Sequence, residues 1–273
     1  MCSDKTIVIV VPFADFKPEE KRSHQLKQFL SHMIKLINST TTAIKICIVI
    51  AEQNKPDIYF NRGQLLNAGI KWYVEHYNQP DFIIFHDVDM LPDKILFSEY
   101  IKMNGSISLV PQDREYKEKY GRVILSAGGG IFGISYADFI SANGYPNRFF
   151  TWGGEDDAFG KRLKMIKLNN FIRVRKGHIT HIDKQRKSHT SKLEYLRKNK
   201  IRSMMVYENL EEDQKNWKID GYNNVQAQDI ETTEVAGICA YIVKFNLDET
   251  YLAQTITHNE QVYKELSAGG KIA

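Results

Sequence analysis

Cysteine is scarce in this chain. Cys2, Cys47 and Cys239 are odd in number, far apart and without a CxxC pair, so neither a disulfide framework nor a cysteine zinc site is expected. Long apolar runs are missing too. The first, in "MCSDKTIVIVVPF", closes at Pro12; it is too short for a signal-peptide core, and no later stretch approaches a membrane span. The expectation is a soluble, cytoplasmic protein with no transmembrane segment. A glycine-rich phosphate loop is also lacking, since "PFADFKPEEKR" completes the first apolar run. That counts against a metal-dependent nucleotidyltransferase, which otherwise shares paired aspartates on an α/β sheet.

Charge of one sign is not in large excess: the formal net charge is +4. It is unevenly spread, however. From Lys161 to Arg202 fifteen Lys and Arg accompany two acids, Asp183 and Glu194, and from Glu208 onward acids outnumber bases. No Gly-aromatic RNA motif or zinc-finger spacing goes with the basic stretch, so nucleic acid is not an expected partner. It reads as a solvated lysine-rich face, with an anionic or lipid-linked acceptor, or an anionic membrane surface, as the alternative.

What is present is a soluble composition, 42% hydrophobic and 26% charged over 273 residues, enough for one large α/β domain with a sizeable core. "TIVIVV" (6–11), "AIKICIVIA" (43–51) and "FIIFHD" (82–87) read as buried strands. Between them, residues 18–38 place Leu26, Phe29, Leu30, Met33, Ile34 and Ile37 on one helical face, and 61–77 does the same with Leu65, Leu66, Ile70 and Val74. This alternation predicts a mostly parallel sheet flanked by helices, with ligands outside the carboxyl ends of its strands. The second half is less regular: "IFGIS" is a short strand, helices follow over 135–143, after Trp152 and over 191–207, and "CAYIVKFNL" (239–247) is a late strand. No repeat or linker stands out. Residues 1–246 read as a single domain and 247–273 as a C-terminal tail.

Four segments carry chemistry. "HDVDML" (86–91) follows a strand, and in extended chain Asp87 and Asp89 face one side together, a hard-cation pair or simply a polar turn. "GHITHID" (177–183) offers His178 and His181, which converge only in a turn or helix. Imidazole beside carboxylate shifts preference from Mg²⁺ toward Mn²⁺. "YFNRGQLLNAG" (59–69) puts Phe60 and Arg62 at a helix entry, suited to stacking on a base and pairing with phosphate, or to ordinary packing. "FFTWGGEDDAFGKRL" (149–163) sets three acids at a helix start, where the macrodipole stabilises them.

Taken in order, "FNRGQLLNAG", "FHDVDMLP", "GGGIFGISYADFISANGYPNRFFTWGGEDDAFGKRL" and "HITHID" resemble the β-1,4-galactosyltransferase family, with 22 residues from Gly130 to Trp152 and the likeness running from about Thr6 to Asn246. The resemblance implies a GT-A type nucleotide-diphospho-sugar transferase fold and transfer of a hexose or N-acetylhexosamine from a UDP-sugar, with inversion, to a glycan or glycoconjugate acceptor. It implies Asp156 as general base, with Glu155 and Asp157 binding donor and acceptor hydroxyls. Asp89, His178 and His181 would hold Mn²⁺. Pro12, Phe13, Phe60, Arg62, Asp87 and Gly130 would line the donor site, and Trp152, Gly153 and Gly154 a loop that closes over it. The family commonly has Met at the His178 position, arginines at Ala14 and Phe16, and in galactosyltransferases a tyrosine at Ala127; alanine there implies a roomier donor pocket. A non-catalytic sugar-binding relative is the alternative, and the intact acid triplet argues against it.

Overall fold

The computed structural model describes residues 5–15, 22–41, 43–54, 60–108, 129–150, 153–168, 172–174, 176–182, 209–253 and 257. The expected helix at 191–207, together with Phe16, Ala127, Trp152 and most of the basic stretch, lies outside the described residues.

The chain opens with β1 (Thr6–Phe13), α1 (Arg22–Asn38), β2 (Lys45–Gln53), α2 (Arg62–His76) and β3 (Phe82–His86). β4 (Met90–Pro92), α3 (Lys94–Ile101), β5 (Ile107–Ser108), β6 (Ile131–Ser135), α4 (Tyr136–Ser141) and α5 (Glu155–Met165) follow. Then come β7 (Ile172–Arg173), β8 (Ile179–His181), a helical segment at 209–216, β9 (Ala227–Glu234) and β10 (Cys239–Leu247).

Eight strands form one mixed, mostly parallel sheet in the order β7-β5-β6-β3-β1-β2-β10-β9. β1 pairs in parallel with β2 and β3, and β10 with β2. β6 runs antiparallel to β3 and β5, and β9 antiparallel to β10. The antiparallel margins carry none of the strand–helix alternation that marks a crossover, so they are less visible in the sequence. β4 and β8 make a separate two-stranded ladder.

Why β1 is the centre follows from its period of two. Ile7, Ile9 and Val11 face one core with Phe29, Leu30 and Met33 of α1, and Val8 and Val10 face the other with Leu65, Leu66 and Ile70 of α2. A strand buried on both faces is apolar at every position, as "IVIVV" is.

One expectation is corrected. Cys47 of β2 and Cys239 of β10 are register partners and are joined by a disulfide across 192 residues of sequence. Spacing along the chain says nothing about which strands a sheet sets side by side. Past β10, Asp248 exchanges two hydrogen bonds with Gln64 of α2: its N–H donates to Oε1 at 3.1 Å, and its carbonyl accepts from Nε2 at 3.0 Å.

Candidate active site

β3 ends at His86, and just beyond that carboxyl end Asp87 meets Arg62 at the start of α2, which in turn faces Glu155 at the start of α5. Asn61 caps α2, its side chain accepting the Gln64 N–H at 2.9 Å. This starts the helix at Arg62 and aims that side chain across the sheet end. Arg62 Nη2 lies 3.1 Å from Asp87 Oδ1, and Nη1 lies 3.9 Å from Glu155 Oε1. The guanidinium also lies over the Tyr145 ring, 5.7 Å from its centroid. Three of the four motif segments therefore converge on one cation.

α5 begins from two glycines in the left-handed region, Gly153 at φ 106° and Gly154 at φ 96°, a conformation that costs other residues energy. Gly154 is the N-cap but supplies no side-chain bond, and Glu155, Asp156 and Asp157 fill the first turn. The three differ by environment. Glu155 is buried, Asp156 half-buried and Asp157 exposed. Burial raises the Glu155 carboxyl to about 7, with the neighbouring Asp156 charge adding to the rise and Arg62 opposing it. Glu155 Oε2 has no hydrogen-bond partner among the described residues. Asp157 is also raised, by partial burial and then by Asp156. Burial works against the Arg62 charge, but Asp87, Tyr145, Glu155 and Asp156 together outweigh it and hold the guanidinium above its ordinary value.

The second acidic motif follows β3. Asp87 N–H donates to the Gly130 carbonyl at 3.1 Å, and a turn returns the chain into β4. β4 and β8 pair as Met90 with His181 and Pro92 with Ile179. Ile182 N–H donates to the Asp89 carbonyl at 2.8 Å, and Asp93 N–H to the His178 carbonyl at 2.9 Å. Asp89 and His181 thus share one end of this ladder, and His178 stands at the other. Among the described residues no three His, Cys, Asp or Glu side chains are grouped closely enough to hold a metal. The turn before β8 packs tightly: a Cβ on Gly177 would lie 2.6 Å from the Leu96 backbone nitrogen.

Of the other expected donor-site residues, Pro12 and Phe13 end β1, with Phe13 buried in the α1-side core. Phe60 packs, partly buried, against the α2-side core. Gly130, at φ 69°, anchors Asp87.

Two buried polar networks join segments that the motifs leave separate. Asn67 Nδ2 donates to the Tyr145 carbonyl at 2.7 Å, and Asn67 Oδ1 accepts the Tyr145 N–H at 2.9 Å. Asn61 and Gln64 both donate to the Asn147 carbonyl. One signal is in the sequence: Asn61, Gln64 and Asn67 recur every three residues, interleaved with the apolar Leu65, Leu66 and Ala68. Arg162, fully buried, donates to the carbonyls of Asn143, Gly144 and Asp220 and pairs with Asp213. No local pattern marks that arginine as internal.

Comparison with known proteins adds the family. The profile described as the N-terminal region of glycosyl transferase group 7 matches residues 1–98, and that described as the N-terminal domain of galactosyltransferase matches 114–185. Human β-1,4-galactosyltransferase 2 is 28% identical over 171 residues, covering 60% of this chain and 41% of that protein. A Lymnaea stagnalis β-N-acetyl-D-glucosaminide β-1,4-N-acetylglucosaminyltransferase is 31% identical over 176 residues, covering 62% and 32%. The matches thus span less than half the length of these relatives. A crystal structure of a Drosophila β-1,4-galactosyltransferase 7 mutant, in complex with manganese, UDP-Gal and xylobiose, superposes with a TM-score of 0.65 at 23% identity, covering 93% of this chain and 98% of that one. The likeness fixes the fold.

Proposed function

This chain belongs to the β-1,4-galactosyltransferase family of glycosyltransferases, and from that premise we propose that it transfers a sugar from a UDP-sugar to a glycan hydroxyl by single displacement. The observation that carries the reading is the meeting of Asp87, Glu155 and the α5 first turn around Arg62 at the sheet's carboxyl end.

Environment divides the acids. Glu155 is buried behind Arg62 and, with a carboxyl near 7, exists partly as the acid; it is suited to holding a hydroxyl. Asp156 is half-exposed, at the positive end of α5. It is the better general base. Asp156 takes the acceptor hydroxyl proton as that oxygen bonds to the anomeric carbon; the bond from that carbon to the diphosphate breaks, and UDP leaves with the electron pair. Attack opposite the leaving group inverts the anomeric centre. Gly153 and Gly154 give the backbone beside the donor its freedom.

The donor set of Asp89 carboxylate and His181 imidazole, at one end of the β4–β8 ladder, fits Mn²⁺ better than Mg²⁺. The resemblance would add His178, which the ladder holds at its opposite end, so Asp89 and His181 are the part of the set that lies together here. A bound ion would offset the charge developing on the leaving diphosphate. The Drosophila structure with manganese, UDP-Gal and xylobiose supports this reading. Donors of both galactosyl and N-acetylglucosaminyl type occur among the relatives' names, so the donor is chosen by assay.

The experiment is thermal unfolding with UDP, with and without Mn²⁺, followed by radiolabelled transfer from UDP-Gal, UDP-Glc, UDP-GalNAc and UDP-GlcNAc. UDP at about a hundred times its Kd adds about 2.7 kcal/mol. Stabilisation that requires Mn²⁺, followed by transfer from one donor, is expected. No stabilisation under either condition overturns the reading.

A further inference from the structure

The strand leading to the first acidic motif ends in a buried imidazole. His86 and Tyr100 are 0% and 1% exposed. His86 Nδ1 lies 2.8 Å from the Asp87 carbonyl oxygen, and Nε2 lies 3.0 Å from the Tyr100 hydroxyl. A carbonyl only accepts, so Nδ1 carries a proton. A ring this deeply buried is neutral, which leaves Nε2 as an acceptor and makes Tyr100 the donor. One tautomer satisfies both contacts.

The carbonyl held in this way belongs to the turn that carries both aspartates. Met90 N–H donates to the same oxygen at 3.3 Å, closing a turn over residues 87–90. Both lone pairs of that carbonyl are then occupied, one by the turn and one by the ring. Phe29 of α1 braces the imidazole, with ring centroids 5.1 Å apart. Tyr100 lies on α3, and the Asp93 N–H at the N-cap of that helix donates to the His178 carbonyl. One helix therefore touches both halves of the candidate metal site. It reaches the Asp89 turn through Tyr100 and His86, and the strand of His178 and His181 through Asp93.

We propose that His86, held in its Nδ1–H tautomer by Tyr100, is the positioning residue of the Asp87–Asp89 turn and sets the affinity of the site for Mn²⁺ with UDP. The proposal rests on the transferase reading above. Both residues are buried, so they act through the turn and do not touch substrate.

The test uses the full chain, calorimetry of UDP binding with Mn²⁺, and ¹⁵N spectra of the His86 ring. At neutral pH the wild type is expected to show a protonated Nδ1 and a bare Nε2; the opposite tautomer overturns the proposal. His86→Leu removes both contacts and is expected to weaken Mn²⁺-dependent UDP binding by ~10-fold or more, as loss of an outer-shell partner does. His86→Asn, whose amide can keep the donor to the Asp87 carbonyl, should recover most of that affinity, which a purely structural loss would not do. If His86→Leu fails to fold, Tyr100→Phe decides, since it removes one hydroxyl and is expected to weaken binding to a smaller degree. Wild-type binding with unchanged affinity in these variants overturns the positioning role and leaves the transferase reading standing. No binding by the wild type overturns that reading, and this proposal with it.

Discussion

Arg62 and Glu155, 93 positions apart in sequence, face each other at 3.9 Å behind the α5 first turn, and the same guanidinium pairs with Asp87 at 3.1 Å. Removing it leaves two carboxylates without their cation. Breaking a buried pair costs about 3–5 kcal/mol, and because Asp87 is about a third exposed the expected loss for Arg62→Gln lies near the lower end, ~3 kcal/mol. Urea unfolding at pH 7 measures it. A loss under ~0.5 kcal/mol would show the pair to be screened like a surface bridge.

Asp156→Asn separates chemistry from binding. The amide keeps the shape at the helix start but takes no proton. Transfer is expected to fall by about 10²–10⁴-fold, while the Mn²⁺-dependent thermal shift with UDP persists. Undiminished turnover would assign the base elsewhere.

Two buried groups give opposite pH slopes. The Glu155 carboxyl rises from 4.5 to about 7 on folding. The folded chain therefore binds more protons across that interval, and stability falls as pH rises through it. Burial lowers His86 from 6.5 to about 4. There the unfolded chain binds more protons, so stability falls as pH drops from 6.5 toward 4. Denaturant midpoints from pH 4 to 8 should show Glu155→Gln losing the first slope and keeping the second. A variant with an unchanged profile would place the titration on another group.

The disulfide ties β2 to β10 far apart in sequence. Cys239→Ser is expected to cost about 2–4 kcal/mol, read as a lower Tm that dithiothreitol no longer shifts. With three cysteines in the chain and one bridge, the unreduced protein should give one thiol in denaturant. Three thiols before reduction would mean the bridge does not form in solution.

The parts legible in the sequence were those written in local periodicity. "TIVIVV" reads as a buried strand because every residue but one is apolar and β-branched, and β1 is buried on both faces. The α1 and α2 stripes are legible because side chains at helical spacing must share a face. The short margins β5 and β7, and the turn strand β4, are too brief for any period to register. Arg162 illustrates the limit inside a helix that was expected. Its charge predicts an exposed position, and only the Asp213 carboxylate together with the carbonyls of Asn143, Gly144 and Asp220, brought from other segments, makes its burial tolerable.

The sequence by itself determined the α/β class, the order of the main elements and the family, since motif residues at fixed spacing survive in the linear chain. Tertiary structure alone decided which acid is buried and which reachable, because exposure of Glu155 and Asp156 depends on Arg62 arriving from α2. It also decided the Cys47–Cys239 pairing and the tautomer of His86. Contacts between residues distant in sequence leave no periodic trace; they exist only once the sheet has set its strands side by side.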